Sequence, residues 1–212
     1  TRPLRVPHTA SVTESGLVTA RVIVLAGPSG AGKTRLAERL GLPVVRLDDF
    51  YRDIDDPALP MLNQDLADWD HPQSWNCDDA VAALATLCAT GSVEVPDYDI
   101  TISRRTGTHR LDAGGAHFVV AEGIFAHLAV AHLRQRGLLA EAICVTQHPA
   151  LTFVRRLLRD LAEHRKPPLV LLTRGLRLMR AQPRVVKQAV VNGCRAMNAV
   201  EAEAHLRALT TS

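Results

Sequence analysis

Eight consecutive residues, Gly27-Pro28-Ser29-Gly30-Ala31-Gly32-Lys33-Thr34, have the types and spacing to hold a polyphosphate. Glycines let the backbone wrap closely around an anion, so that successive N–H groups and the positive end of a following helix point at phosphate oxygens. Lys33 would reach the outer phosphates and the Thr34 hydroxyl would bind Mg²⁺. Three further groups could complete a reaction at that anion. Asp48 and Asp49 follow a short apolar run, where either carboxylate could take a proton from a substrate hydroxyl or hold Mg²⁺ through water. Glu122 ends a second apolar run and is placed to orient Mg²⁺ and its waters. Asp68-Trp69-Asp70 brackets an aromatic ring with carboxylates, a combination that suits a sugar or a base.

These groups need elements to carry them. Val22-Ile23-Val24-Leu25-Ala26 reads as a buried strand feeding the glycine loop, and Leu36, Ala37 and Leu40 share one face of a helix that Gly41 can cap. Pro43 to Leu47 reads as a second parallel strand, His117 to Ala121 as a third and Ala142 to Thr146 as a fourth. Ligands of such sheets lie beyond the carboxyl ends of the strands, which is where Asp48 and Glu122 fall. Between Asp53 and Ser74 the prolines and acids predict an irregular, exposed stretch; Asp78 then starts a helix that stops at Gly91. Val93 to Val95 and Tyr98 to Ile102 are expected as a strand pair or flap, continued by the exposed run Ser103 to Arg110. Leu128, Val130, Leu133 and Leu138 predict one helix. Pro149 opens another that carries Arg155, Arg156 and Arg159. Arginines on one helix face could swing over a triphosphate and exclude water. Leu169 to Ser212 reads as helices, with Pro183 as a start and Gly193 as a break, and with no clear fifth strand.

Charge and composition narrow the classes. The net charge is only +3, but Asp48 to Asp79 holds ten acids against Arg52, while Leu151 to Val190 holds ten Lys or Arg against Asp160 and Glu163. The basic stretch has few aromatics to stack bases, so triphosphate binding explains it more simply than nucleic acid does. Cys77, Cys88, Cys144 and Cys194 lack C-x-x-C spacing and read as reduced residues of a cytoplasmic protein. No apolar run reaches the roughly 18 residues of a membrane span, and residues 1–20 lack a signal-peptide core. The expected partner is a small molecule, with no nucleic acid and no membrane.

The ordered series G-P-S-G-A-G-K-T, D-D-F-Y, D-W-D-H-P, P-D-Y-D, A-E-G-I and R-R-L-L-R-D-L-A-E resembles the uridine kinase family of P-loop kinases, with phosphoribulokinases among its wider kin, over Arg21 to Lys166. That resemblance implies ATP and Mg²⁺ as cofactors and transfer of the γ-phosphoryl group to the 5′-hydroxyl of a nucleoside such as uridine or cytidine. It implies Asp48 as catalytic base, with Lys33, Arg156 and Arg159 as the other catalytic groups. Gly27, Ser29, Gly30, Ala31, Gly32, Lys33, Thr34 and Arg165 would hold the nucleotide, and Thr34 and Glu122 the metal. Asp70, Trp69, Tyr51, Tyr98 and Ser103 would hold the acceptor. Two departures stand out: Ser103 falls where the family carries a base-reading histidine, and the lid ends in His164-Arg165-Lys166 in place of R-G-R. A non-nucleoside acceptor, such as a sugar phosphate, vitamin precursor or antibiotic, is therefore a second reading. A regulatory NTPase is a third; neither N-K-x-D nor L-S-G-G-Q occurs. The fold expected is one three-layer α/β P-loop domain over 1–212 with four or five parallel strands. It carries an arm at 1–19, a substrate-binding excursion at 48–110 and a helical lid at 151–175.

Overall fold

The computed structural model describes residues 20–63, 66–162 and 168–211. The expected arm and the end of the lid, His164-Arg165-Lys166, lie outside them. The chain begins with β1 (Arg21–Ala26), all but its first residue buried, and enters α1 (Lys33–Leu40) through the glycine loop. Gly41 closes α1 in the left-handed conformation, φ 65°, its N–H bonded to the Glu38 carbonyl. β2 (Val44–Arg46) follows and runs into a 3-10 turn, Leu47–Phe50.

The excursion is more ordered than its composition suggests. The irregular stretch expected over Asp53 to Ser74 contains a small antiparallel ribbon, β3 (Met61–Asn63) with β4 (Leu66–Ala67). Helix α2 (Cys77–Thr90) starts one residue before the expected Asp78, because the Asn76 side chain accepts the Asp79 N–H as its cap. Val93 to Val95 and Tyr98-Asp99 lie on one strand, β5 (Ser92–Asp99), Ile100 to Ile102 form the turn after it, and the run expected as loose continuation is its antiparallel partner, β6 (Arg104–Asp112). The tip is an Asx turn, in which Asp99 Oδ1 accepts from Thr101 N at 2.7 Å, and Ser103 takes a left-handed φ of 53°.

β7 (Phe118–Glu122) inserts between β1 and β2, parallel to both. Helix α3 (Ala129–Gln135) is short: Leu138 does not share it, because Gly137 turns left-handed, φ 69°, and leads into β8 (Leu139–Thr146). The lid region carries α4 (Pro149–Ala162) and α5 (Pro168–Val191). Pro183, expected to begin a helix, sits inside α5; beside it Gln182 Nε2 donates to the Gln147 carbonyl at 2.6 Å, holding the helix to the end of β8. Gly193 does break the chain, φ 94°, and a fifth strand that the sequence reading did not see follows it, β9 (Arg195–Asn198), parallel to β8. Its burial pattern is exposed at three of four positions, so no apolar run marks it. The last helix, α6 (Ala199–Thr210), opens with a capping box between Asn198 and Glu201.

The central sheet is thus five parallel strands in the order β2-β7-β1-β8-β9. Alternate residues of β1 face opposite layers. Ile23 and Leu25 pack with Leu36 of α1 and Leu206 of α6, whereas Val22 and Val24 pack with Leu84 of α2, Leu133 of α3 and Ala189 of α5. Burial of these side chains on both faces is what holds the carboxyl ends of β1, β2 and β7 side by side.

Candidate functional site

The glycine loop is shaped by close approach as much as by torsion. Gly27 has φ 135°, and a Cβ there would lie 2.5 Å from the Val145 carbonyl oxygen at the end of β8. Gly30 and Gly32 are also left-handed, φ 85° and 98°. Lys33 is 7% exposed, and its Nζ donates to the carbonyls of Gly27 at 2.9 Å and Pro28 at 3.3 Å, which leaves one of its three donors uncommitted by these bonds. Thr34 Oγ1 donates to Glu122 Oε1 at 3.0 Å, so the first turn of α1 and the last residue of β7 meet although they are 88 positions apart. An oxygen set of one hydroxyl and one carboxylate fits a Mg²⁺ ion that takes its remaining ligands from phosphates and water. Among the described residues no group of three His, Cys, Asp or Glu could hold a metal alone.

Asp48 stands on the 3-10 turn after β2, next to the chain that leaves β7. Its Oδ1 accepts the Ile124 N–H at 3.1 Å. Two links fix the turn from behind: Trp75, 2% exposed, donates Nε1–H to the Leu47 carbonyl at 2.6 Å, and Asn76 N donates to the Phe50 carbonyl at 2.9 Å. The neighbouring Asp49 points elsewhere. Burial pushes its carboxyl up from the usual value, helped by the charges of Asp48 and Asp97 and opposed by Arg46, whose Nε is 3.7 Å away.

The expected acceptor residues form an aromatic cluster around Tyr51. Its ring lies 6.0 Å from Trp69, 6.1 Å from Tyr98 and 6.0 Å from Phe125, an aromatic that the sequence reading passed over. Edge-on packing of this kind builds a rigid wall. Tyr98 donates its hydroxyl to the Arg52 carbonyl at 3.0 Å; burial, with the Asp53 charge adding to it and a Ser103 hydrogen bond opposing, pushes its phenol up to about 12. It stays neutral in the ordinary pH range. Ser103 also accepts the Ile54 N–H at its carbonyl, 2.9 Å, so the hairpin tip is sewn to the acidic segment. Asp70 is exposed next to Trp69, with its N–H on Asp68 Oδ1 at 3.2 Å. The acidic run is partly neutralised from the hairpin, since Arg104 pairs with Asp55 and Arg105 with Asp79.

Asp48, Glu122, Lys33 and Thr34 are therefore brought to one rim of the sheet, and Tyr51, Trp69, Tyr98 and Ser103 to the adjoining excursion. Arg156 and Arg159 are on α4, with side chains outside the described set, and Arg165 is outside it altogether. A cavity of about 410 Å³ lies between β2 and the hairpin, lined by Val44, Arg46, Asp49, Asp97, Tyr98 and His109 among others. Neither Asp48 nor the glycine loop lines it. Gly123 and Ile124, whose backbone touches Asp48, stand in the A-E-G-I motif of the resemblance, but the sequence assigns them no contact with Asp48.

Comparison with known proteins identifies the family and the fold. Residues 22–166 match the Phosphoribulokinase / Uridine kinase family. A uridine kinase from Deinococcus deserti is 34% identical over 162 residues, covering 73% of this chain and 75% of that protein. One from Chloroflexus aurantiacus is 33% identical over 150 residues, covering 67% of this chain and 68% of its own. Among solved structures, a candidate fructose transport system kinase from Silicibacter sp. TM1040 superposes with a TM-score of 0.57 over 85% of this chain and 88% of that one, at 16% identity, a likeness of fold.

Proposed function

The chain belongs to the Phosphoribulokinase / Uridine kinase family, and from that premise we propose that this P-loop small-molecule kinase moves the γ-phosphoryl group of ATP to the 5′-hydroxyl of a nucleoside such as uridine or cytidine. The observation that carries the reading is the meeting of two carboxylates at one turn. Glu122 touches Thr34 of the phosphate loop, and two residues later the Ile124 N–H holds Asp48. On the proposed reading, Glu122 would face the nucleotide and Asp48 the space beside it.

In this reading the loop amides and the Lys33 ammonium bind the triphosphate, and Thr34 and Glu122 would hold Mg²⁺, which when bound would supply neutralisation of phosphate charge. Asp48 Oδ2, left over from the bond to Ile124, accepts the proton of the acceptor hydroxyl as that oxygen attacks phosphorus in line with the departing diphosphate. Asp70 accepts hydroxyl hydrogens of the sugar while Trp69 and Tyr51 give it an apolar wall. Arg156 and Arg159 of α4, with Arg165, spread over the transferring group and keep water out.

A second reading, a non-nucleoside hydroxyl acceptor, is supported by the hairpin tip: the Tyr98 hydroxyl is spent on the Arg52 carbonyl and on Ser103, not on an imidazole that could read a pyrimidine edge. A coupled ATP-consumption assay over uridine, cytidine, other nucleosides and small polyols tests both, with Lys33→Ala as the control. Turnover with uridine or cytidine that falls to a small residual rate in Asp48→Asn, while ATP still binds, is the expected result. Transfer at the normal rate by Asp48→Asn overturns the base assignment. Turnover only with polyols transfers the case to the second reading.

A further inference from the structure

The residue after Glu122 has no side chain, and the space that a side chain would take is already filled. A Cβ on Gly123 would lie 2.9 Å from Asp48 Oδ1 and 3.0 Å from Leu47 Cβ. Its φ is not left-handed, so nothing in the backbone torsion asks for glycine here. The demand comes from the neighbour. The Gly123 N–H is on the Leu25 carbonyl at 3.3 Å, which seats the turn on β1 just before the phosphate loop, and the next N–H, of Ile124, is on Asp48 Oδ1 at 3.1 Å.

We infer that Gly123 is a positioning residue for phosphoryl transfer: its missing side chain lets the 3-10 turn close against the end of β7, where the Ile124 amide holds Asp48 at a set distance from Glu122 and the phosphate loop. The inference rests on the proposed role of Asp48 as base. Three successive residues then do three jobs. Glu122 reaches Thr34, Gly123 makes room, and Ile124 donates. A methyl group at position 123 would crowd the Asp48 carboxylate and the root of the Leu47 side chain, so the carboxylate has to turn off the Ile124 amide while the Leu47 backbone gives by a few tenths of an ångström. Neither Thr34 nor Glu122 is among the atoms that such a methyl group would meet, so their contact is kept.

Gly123→Ala is measured beside wild type, Asp48→Asn and the double variant, using the acceptor found to be turned over. A misplaced base costs on the order of 10²-fold in kcat, whereas nucleotide binding by the loop is kept. The expected result is therefore a kcat loss of that order in Gly123→Ala, with the KM for ATP within about twofold and an ATP-induced rise in melting temperature equal to that of wild type. In the Asp48→Asn background the same substitution should cost less than about threefold, because the group it acts through is already disabled. An equal loss in both backgrounds, or a KM for ATP that rises in step with the loss in kcat, overturns the inference and assigns Gly123 to general packing or to the nucleotide side. If Asp48→Asn itself turns over normally, the base reading falls first, and the two failures are told apart.

Discussion

At the residue scale, the site is made by close approaches that only small or exactly placed groups allow. Gly27 shows this most sharply. Adding a methyl group 2.5 Å from the Val145 carbonyl, at φ 135°, combines torsional strain with a backbone clash. Gly27→Ala should lower stability by roughly 2–5 kcal/mol, read as a shift in the urea midpoint, and remove the stabilisation that ATP gives. Lys33→Ala should fold, because its ammonium serves only loop carbonyls, but should bind ATP weakly and turn nothing over. The cysteines are chemically silent by contrast. Burial pushes Cys88 and Cys144 up to about 11 and Cys194 to about 12, so in the folded protein at pH 8 these three should resist iodoacetamide and react fully only after unfolding.

At the element scale, the 3-10 turn and the hairpin decide where chemistry can occur. Trp75→Phe keeps most of the ring but leaves the Leu47 carbonyl without its 2.6 Å donor. We expect a loss of roughly 1–3 kcal/mol and a kcat that falls more than the KM for ATP rises, both measurable on one preparation. The hairpin's ion pairs, such as Arg104 with Asp55, are exposed at 45% and 63%, so removing one should change stability by less than about 1 kcal/mol. Elements with a strong apolar period were legible from the sequence: β1, β7, α1 and the face of α2 stand where their patterns put them. The glycine loop, Asp48 and Glu122 could be placed at strand ends because each follows an apolar run. What escaped had no local mark. β9 is mostly exposed and is a strand only because β8 offers it an edge; β6 is polar up to Leu111, its one core contact, and is ordered by pairing with β5. Pro183 misled because a proline usually starts a helix, and here tertiary packing carries α5 through it. Phe125 and the Ile124 amide enter the site through the chain's path, which spacing alone does not give.

For the molecule as a whole, acid should be the weak side. Burial lowers the His127 ring below its ordinary 6.5, only partly offset by a bond to the Ile124 carbonyl, so the unfolded chain takes up a proton that the folded one resists. Its share of stability is present above pH 6.5 and is lost as pH falls from there through the folded value. Glu141, between β8 and α6, acts in the same sense. Burial alone would raise its carboxyl, but hydrogen bonds from His205 at 2.6 Å and from the Ala142 amide, with the Arg195 charge, hold it below the ordinary 4.5. That stabilisation is full above 4.5 and disappears as pH falls through the folded value. Melting temperature should decline from pH 7 to pH 4, and Glu141→Gln should flatten the lower part of that decline. The two rims of the sheet carry a different consequence. β2 has three residues and β9 four, and the hairpin stands over the first. Neither rim offers a stretch long enough to recruit a stranger's backbone. Concentrated samples should therefore not join through the edges of the central sheet; greasy spots such as Met61, Leu62 and Leu66 sticking together are the expected cause of clouding.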